Sequence, residues 1–242
     1  MRAGTSVAAL ATLLVAIPRP SPQDDGLRGL PVHRYTPSGT PVGGAVFFSG
    51  DGGWRSFDKS NGDSLQALGY WVLGVDDFRL FESEMSGDTL AAVGRRLVAA
   101  LRARLPAGAP VYLAGYSFGA SVVADAAARG VPSDGLYLLG PGRRGIRKIT
   151  LGGFLNHDPT GPTSFGVAEQ LNARGCVPVA FVTGEEDTAG KGAEVFPLTH
   201  PPVQQFIVAG ASHHYHGGDS RYMQVARAAL DWLWQHRGEC AP

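Results

Sequence analysis

Residues 111–120 read VYLAGYSFGA. A run of β-formers enters Gly115-Tyr-Ser-Phe-Gly119 and leaves it as an alanine-rich stretch. That order predicts a strand, a tight turn and a helix opened by Ser117. Gly-x-Ser-x-Gly in this setting holds its serine in a strained backbone geometry, because a side chain at either glycine would strike neighbouring backbone. The serine also sits where the helix's free amides favour negative charge. A glycine-lined corner is the plain alternative. To be a nucleophile, Ser117 needs a base, an acid to orient that base, and donors for a developing oxyanion.

The rest of the chain supplies a frame for such a turn. Short apolar runs recur at Ala45–Phe48, Trp71–Val75, Val111–Ala114, Gly135–Leu139, Val177–Thr183 and Val203–Val208. Runs of this length suit strands buried on both faces. Helical patterns alternate with them: a short one at Ser64–Leu68, then Thr89–Leu105, Ser117–Arg129 and Tyr222–His236. Strand-helix alternation predicts a mostly parallel central sheet with helices on both faces. With the elbow in place this is the α/β-hydrolase fold, here as a single domain over residues 30–242.

In that fold the partners follow in the order serine, acid, histidine. Val179–Asp187 reads as a strand ending in an acidic turn, and Asp187 is the expected acid. Glu185 and Glu186 compete with it and read as solvated carboxylates. The last strand runs into Ala209-Gly-Ala-Ser-His-His-Tyr-His216. His213 is the expected base, with His214 open as an alternative or as a substrate contact, and His216 as loop surface. A histidine-rich loop also suits a metal, but no companion ligand cluster appears in the sequence, so neither metal nor organic cofactor is expected. One oxyanion donor should be the amide of Phe118. The other should be the amide of Asp51 or Gly52, in the glycine-rich Ser49-Gly-Asp-Gly-Gly-Trp54 loop. Trp54 and Tyr116 flank these groups and are candidate substrate contacts.

The connection from Pro141 to Gly175 is too long for a simple crossover. It is expected to form a lid or binding loop, with a helix over Val167–Ala173. Arg143, Arg144, Arg147 and Lys148 open it at the carboxyl edge of the sheet, where ligands usually bind. They and Arg79 suit an anionic substrate group, or else a solvated loop.

Arg2 precedes an apolar run, Val7–Ile17, which is shorter than the roughly 20 residues a membrane span needs. It suits a secretory signal peptide, followed by a Pro18–Pro22 linker, so a periplasmic or secreted location is expected. Cys176 and Cys240 lack metal-ligand spacing, and the fold reading puts them at the same end of the molecule. They are read as a disulfide or as two thiols, both open. Lysine plus arginine equals aspartate plus glutamate at 21 each, so no basic excess calls for nucleic acid.

Together, Ser49-Gly-Asp-Gly-Gly-Trp54, Gly74-Val-Asp76 with Arg79 and Phe81, Gly115-Tyr-Ser-Phe-Gly-Ala120, Gly184-Glu-Glu-Asp187 and His213-His-Tyr215 resemble the VirJ/AcvB family of bacterial virulence-associated proteins. The resemblance runs from about Val46 to the last helix. Tyr215 stands where the pattern leads one to expect Phe. The resemblance implies an exported hydrolase, linked to type IV secretion and, for AcvB-like members, to hydrolysis of lysyl-phosphatidylglycerol. A phospholipid ester, transient contact with a membrane surface and a secretion-system partner are therefore implied. Asp51, Asp76, Asp77 and Glu82 are then candidate partners for a lysyl ammonium. Two other readings stand beside it: a non-catalytic hydrolase-fold binding protein, and a generic carboxylesterase or thioesterase.

Overall fold

The computed structural model describes residues 26–149, 158–215 and 220–239. Five of its six apolar runs become inner strands because both of their faces are covered. Val203–Val208, expected to be buried on both faces, is instead an edge strand with only Val208 buried. In β2 (Gly43–Phe48) every residue is buried. Val46 and Phe48 enter one core, and Ala45 and Phe47 the other, as the two-residue period of a strand requires.

The main sheet contains β1 (Val32–Tyr35), β2, β3 (Tyr70–Val75), β4 (Val111–Tyr116), β5 (Gly135–Leu139), β8 (Val179–Gly184) and β9 (Val203–Val208). Their order is β1-β3-β2-β4-β5-β8-β9. All neighbours are parallel except β1, which runs antiparallel to β3. A two-stranded sheet, β6 (Arg144–Ile146) and β7 (Ser164–Gly166), lies in the long connection.

Helices α1 (Ser56–Ala67) and α7 (Ser220–Gln235) bury residues in the core on one face. On the other face lie α3 (Gly87–Arg102), α4 (Phe118–Ala128) and α5 (Val167–Asn172). The short α2 (Asp77–Leu80) follows β3, and α6 (Gly192–Val195) follows β8. In α3 the stripe Leu90, Val93, Leu97 and Leu101 faces the core. Ser86 caps it, its Oγ accepting from the Thr89 amide at 3.1 Å.

The structure departs from the sequence reading in several places. Strand β1 was not expected; it is an edge strand whose His33 and Arg34 are exposed, so it has no apolar run. Helix α1 begins eight residues earlier than the Ser64–Leu68 pattern. Its buried positions include Asp58, Asn61 and Ser64, so polar contacts rather than an apolar stripe hold its first turns. Asn61, for instance, accepts a hydrogen bond from the Tyr222 hydroxyl. The β6–β7 hairpin precedes α5, where only the helix was expected. Leu27 is buried in the core, so packing of the domain reaches before residue 30.

Residues 1–25, on which the expected signal peptide and Pro18–Pro22 linker fall, His216 and the stretch 150–157 lie outside the described residues. Cys176 is disulfide-bonded; Cys240, the other cysteine of the sequence, lies outside the described residues. Among the described residues no helix is long and apolar enough to cross a membrane.

Candidate active site

Strand β4 delivers Ser117 to the carboxyl edge at the middle of the sheet. The residue has φ 53° and ψ −111°, a conformation that is costly for a side chain other than glycine. The surroundings hold it there. Its amide donates to Leu139 O at 2.8 Å. A Cβ on Gly115 would stand 2.4 Å from Gly119 O, and one on Gly119 would stand 2.3 Å from Phe48 O. Both glycines are therefore required by close backbone approach, and α4 starts hard against the end of β2.

Past β8 the chain turns at Asp187, whose amide donates to Gly184 O at 3.1 Å. Its carboxylate is fully buried and accepts from the amides of Ala189 (3.1 Å) and Gly190 (2.7 Å). His213 Nδ1 lies 3.0 Å from each carboxylate oxygen. The Tyr215 hydroxyl lies 3.0 Å from Val182 O and 3.3 Å from Asp187 Oδ2, so its proton is shared between two acceptors. Burial pushes the Asp187 carboxyl up. The His213 ring, the Gly190 amide and the Tyr215 hydroxyl outweigh it and hold the group below its usual value.

The competitors are placed elsewhere. Glu185 is exposed and accepts from the Gly210 amide at 2.8 Å; Glu186 is also exposed. His214 is exposed, with Nδ1 3.2 Å from the Tyr116 hydroxyl. Of the two adjacent histidines, His213 is the one joined to Asp187.

Two glycines that the sequence reading passed over shape this pair. Gly140, at φ 51°, would place a Cβ 2.9 Å from His213 Cε1 and 3.0 Å from Asp187 Oδ2; Gly190 would place one 2.5 Å from Asp187 Oδ2. Gly140 ends β5 in Leu-Gly-Pro, and that turn signal was legible without its purpose.

The loop after β2 crosses in front of Ser117. The Gly53 amide donates to Gly50 O at 3.0 Å, and Arg55 Nε donates to Gly52 O at 2.6 Å. Burial raises the Asp51 carboxyl, against the pull of the Gly52 amide, its own amide and His213. Asp58, another residue the sequence reading missed, lies beneath this loop. Its carboxylate accepts from the amides of Gly50 (3.1 Å) and Arg55 (3.3 Å).

Two recesses meet at Ser117, Asp51 and Ala189. One is walled by Phe118, Ile146 and Ile149 and carries the cations Arg144, Lys148 and Lys191 together with the acid Asp158; Lys191 also pairs with Glu194 at 3.6 Å. The other runs under the Gly50–Gly53 loop past Phe57, Tyr116, His213 and His214. Ser117 and His213 thus share one cavity.

Several expected substrate contacts lie outside both recesses. Trp54 is buried in the core: it stacks on His33 with ring centroids 5.2 Å apart, and its Nε1 donates to the Tyr35 hydroxyl at 3.0 Å. Gly74 is its floor, since a Cβ there would stand 2.1 Å from the indole. Arg79 is exposed and pairs with Asp76 at 3.6 Å. Arg143 is held at 3.1 Å by both Asp158 and Glu194. Arg147 donates to the buried Asp125 at 2.7 Å and belongs to the scaffold. The basic run therefore divides, with Arg144 and Lys148 facing the recess. Of the four acids weighed as ammonium partners, only Asp51 lines a recess. Asp76 caps α2, Asp77 is buried and Glu82 is exposed. Among the described residues no group of three His, Cys, Asp or Glu side chains is disposed to hold a metal ion.

Solved structures similar to this chain are α/β-hydrolases. The esterase domain of a Rhodothermus marinus protein aligns with a TM-score of 0.59 and 17% identity, covering 85% of this chain and 92% of that one. The α/β hydrolase GrgF from Penicillium sp. sh18 aligns with a TM-score of 0.60 and 13% identity, over 85% and 93% of the two chains. Est1E from Butyrivibrio proteoclasticus aligns with a TM-score of 0.55 and 14% identity, over 85% and 93%. At these identities the likeness establishes the α/β-hydrolase fold. No curated protein matched the sequence. Residues 44–237 match the family described as "Bacterial virulence protein (VirJ)".

Proposed function

The chain belongs to the VirJ family of bacterial virulence proteins, and from that premise we propose that it is an exported serine esterase acting on an aminoacyl ester, with lysyl-phosphatidylglycerol as the leading substrate. The observation that carries the esterase reading is the buried Asp187 carboxylate on His213 Nδ1, with His213 and the strained Ser117 opening on one cavity.

The chemistry follows from that arrangement. Asp187 fixes the proton on Nδ1, which leaves Nε2 free to accept the proton of Ser117 Oγ. Oγ attacks the ester carbonyl, and the charge that develops on the carbonyl oxygen falls to the Phe118 amide and to an amide of Asp51 or Gly52. Collapse expels the alcohol, which takes the proton back from Nε2. Water then repeats the sequence on the acyl-enzyme and restores Ser117.

The recesses support an ester charged at both ends. Arg144, Lys148 and Lys191 suit a phosphate on the alcohol half. The Asp51 carboxylate, beside the nucleophile, suits the ammonium of an aminoacyl half. The apolar run near the N-terminus supports export, and the family supports a role at the cell envelope.

The deciding experiment incubates the purified protein with lysyl-phosphatidylglycerol, alanyl-phosphatidylglycerol and p-nitrophenyl esters. Release of free lysine by the wild type and not by Ser117→Ala is expected. Equal turnover of p-nitrophenyl esters by Ser117→Ala would sink the serine mechanism. Fast cleavage of p-nitrophenyl esters with inert aminoacyl lipids would reduce the reading to a generic carboxylesterase.

A further inference from the structure

The loop that faces Ser117 is hung at both ends from one buried side chain. Asp58 Oδ1 accepts the amide of Gly50, where the loop leaves β2, and Asp58 Oδ2 accepts the amide of Arg55, where the loop enters α1. The residue is only 4% exposed. Between the two anchors lie Asp51 and Gly52, which line the nucleophile's cavity. The base of the loop is tied separately: the Ser49 amide donates to Val75 O at 3.1 Å, and Ser49 Oγ accepts the Asp77 amide at 2.9 Å.

We infer that Asp58 is a positioning residue, whose carboxylate holds the loop so that an amide of Asp51 or Gly52 points at the developing oxyanion. The inference rests on the esterase reading above. Electrostatics alone argue for the opposite effect. A negative charge beneath a loop that must stabilise a negative oxygen opposes catalysis through space, so a helpful Asp58 must act through geometry. Two parallel acceptors on one rigid carboxylate also suit this task, because they set the distance between the loop's ends as well as their directions. Burial lifts this carboxyl to about 6 against the pull of the same two amides, which fits a group kept for its acceptor oxygens despite the cost of desolvation.

Asp58→Asn separates the two effects. Asparagine has nearly the same shape but offers one acceptor oxygen, and its NH2 group meets the second amide donor to donor. It also removes the charge. If positioning dominates, kcat for a p-nitrophenyl ester falls roughly 10- to 100-fold with KM within about twofold, a part of what losing one oxyanion donor costs. Affinity for a trifluoromethyl ketone, which forms the tetrahedral adduct, falls by a similar factor. Asp58→Glu, which keeps a carboxylate, recovers part of kcat. An active wild type whose Asp58→Asn variant is equally fast or faster, or slow with unchanged ketone affinity, overturns the inference and leaves the esterase reading standing. A wild type that neither hydrolyses esters nor labels at Ser117 with a fluorophosphonate overturns both.

Should Asp58→Asn fail to fold, the wild type still decides through its amide spectrum. The Gly50 and Arg55 amide protons are expected downfield, as donors to a carboxylate. On fluorophosphonate labelling the Asp51 or Gly52 amide proton moves downfield while those two stay. Anchors without the carboxylate signature, or a loop whose four amides all move together, overturn the inference.

Discussion

His213 Nδ1 lies 3.0 Å from both carboxylate oxygens of Asp187, a residue 26 positions earlier in the chain. The carboxylate is fully buried, and four donors surround it. Such a group stays ionised; in the proposed mechanism it holds the imidazole in one tautomer and stabilises the imidazolium formed when Ser117 gives up its proton.

Asp187→Asn should therefore lower kcat roughly ten-thousand-fold while leaving the fold in place. Steady-state kinetics and circular dichroism check both halves. The substitution also has a stability signature. The folded carboxyl lies below its ordinary value of 3.8, so its contribution is present above that value and is lost as the pH falls through the folded one. Thermal unfolding should show the wild type ahead of the variant at pH 6–7, with the gap closing towards pH 3. A gap independent of pH would contradict this account.

Gly140→Ala tests the packing behind the pair. The residue has φ 51°, and the new methyl would stand about 3 Å from both His213 and Asp187. Backbone strain of order 1–2 kcal/mol is expected, together with displacement of the imidazole. Esterase activity should fall at least about tenfold, given how strongly rates depend on placement. Fluorophosphonate labelling of Ser117 should slow in parallel. Normal labelling would show that the ring had room to give.

Asp77→Asn should stabilise the protein at neutral pH. Asp77 is fully buried, neither carboxyl oxygen has a hydrogen-bond partner among the described residues, and burial with the nearby Asp58 and Asp76 raises its carboxyl well above 3.8. Folding therefore favours the protonated form. Stability is greatest below the unfolded value and declines as the pH rises towards the folded one. Asparagine imitates the neutral acid and removes that decline. The melting temperature should rise by at least about 2 °C at pH 8, with the gain shrinking towards pH 4. A variant less stable at every pH would show that the carboxyl has a partner the neutral amide cannot replace.

Joint replacement of Lys148 and Lys191 by alanine tests the cationic recess. The ratio of kcat/KM for an ester with an anionic alcohol half to that for p-nitrophenyl acetate should fall roughly tenfold or more, since each charge-assisted contact is worth about 1.5–3 kcal/mol at most. Rising salt should erode the same ratio in the wild type. An unchanged ratio would turn these lysines into plain surface.

Local pattern made much of this legible. Apolar runs and helical stripes identified six of the seven strands of the main sheet and most helices, because burial on two faces or one stripe leaves a period in the sequence. The expected helix over Val167–Ala173 appears as Val167–Asn172. Strand β1 escaped because half of it faces solvent, and the early turns of α1 escaped because buried polar groups carry no hydrophobic period.

By itself the sequence determined the elbow, the glycines beside Ser117 and the order of serine, acid and histidine. Each is a short-range demand: a backbone turn that excludes side chains, or a strand end followed by a particular residue type. Only the tertiary structure decided which acid meets which histidine, since His213 and His214 are adjacent and differ only in the direction the turn gives them. It alone sent Trp54 into the core over Gly74, tied Arg143 and Arg147 to carboxylates from other segments, and hung the Gly50–Arg55 loop from Asp58. Partners distant in sequence are chosen by strand order and by the packing of helices on the sheet, and neither leaves a mark on the residues that lie next to each other in the chain.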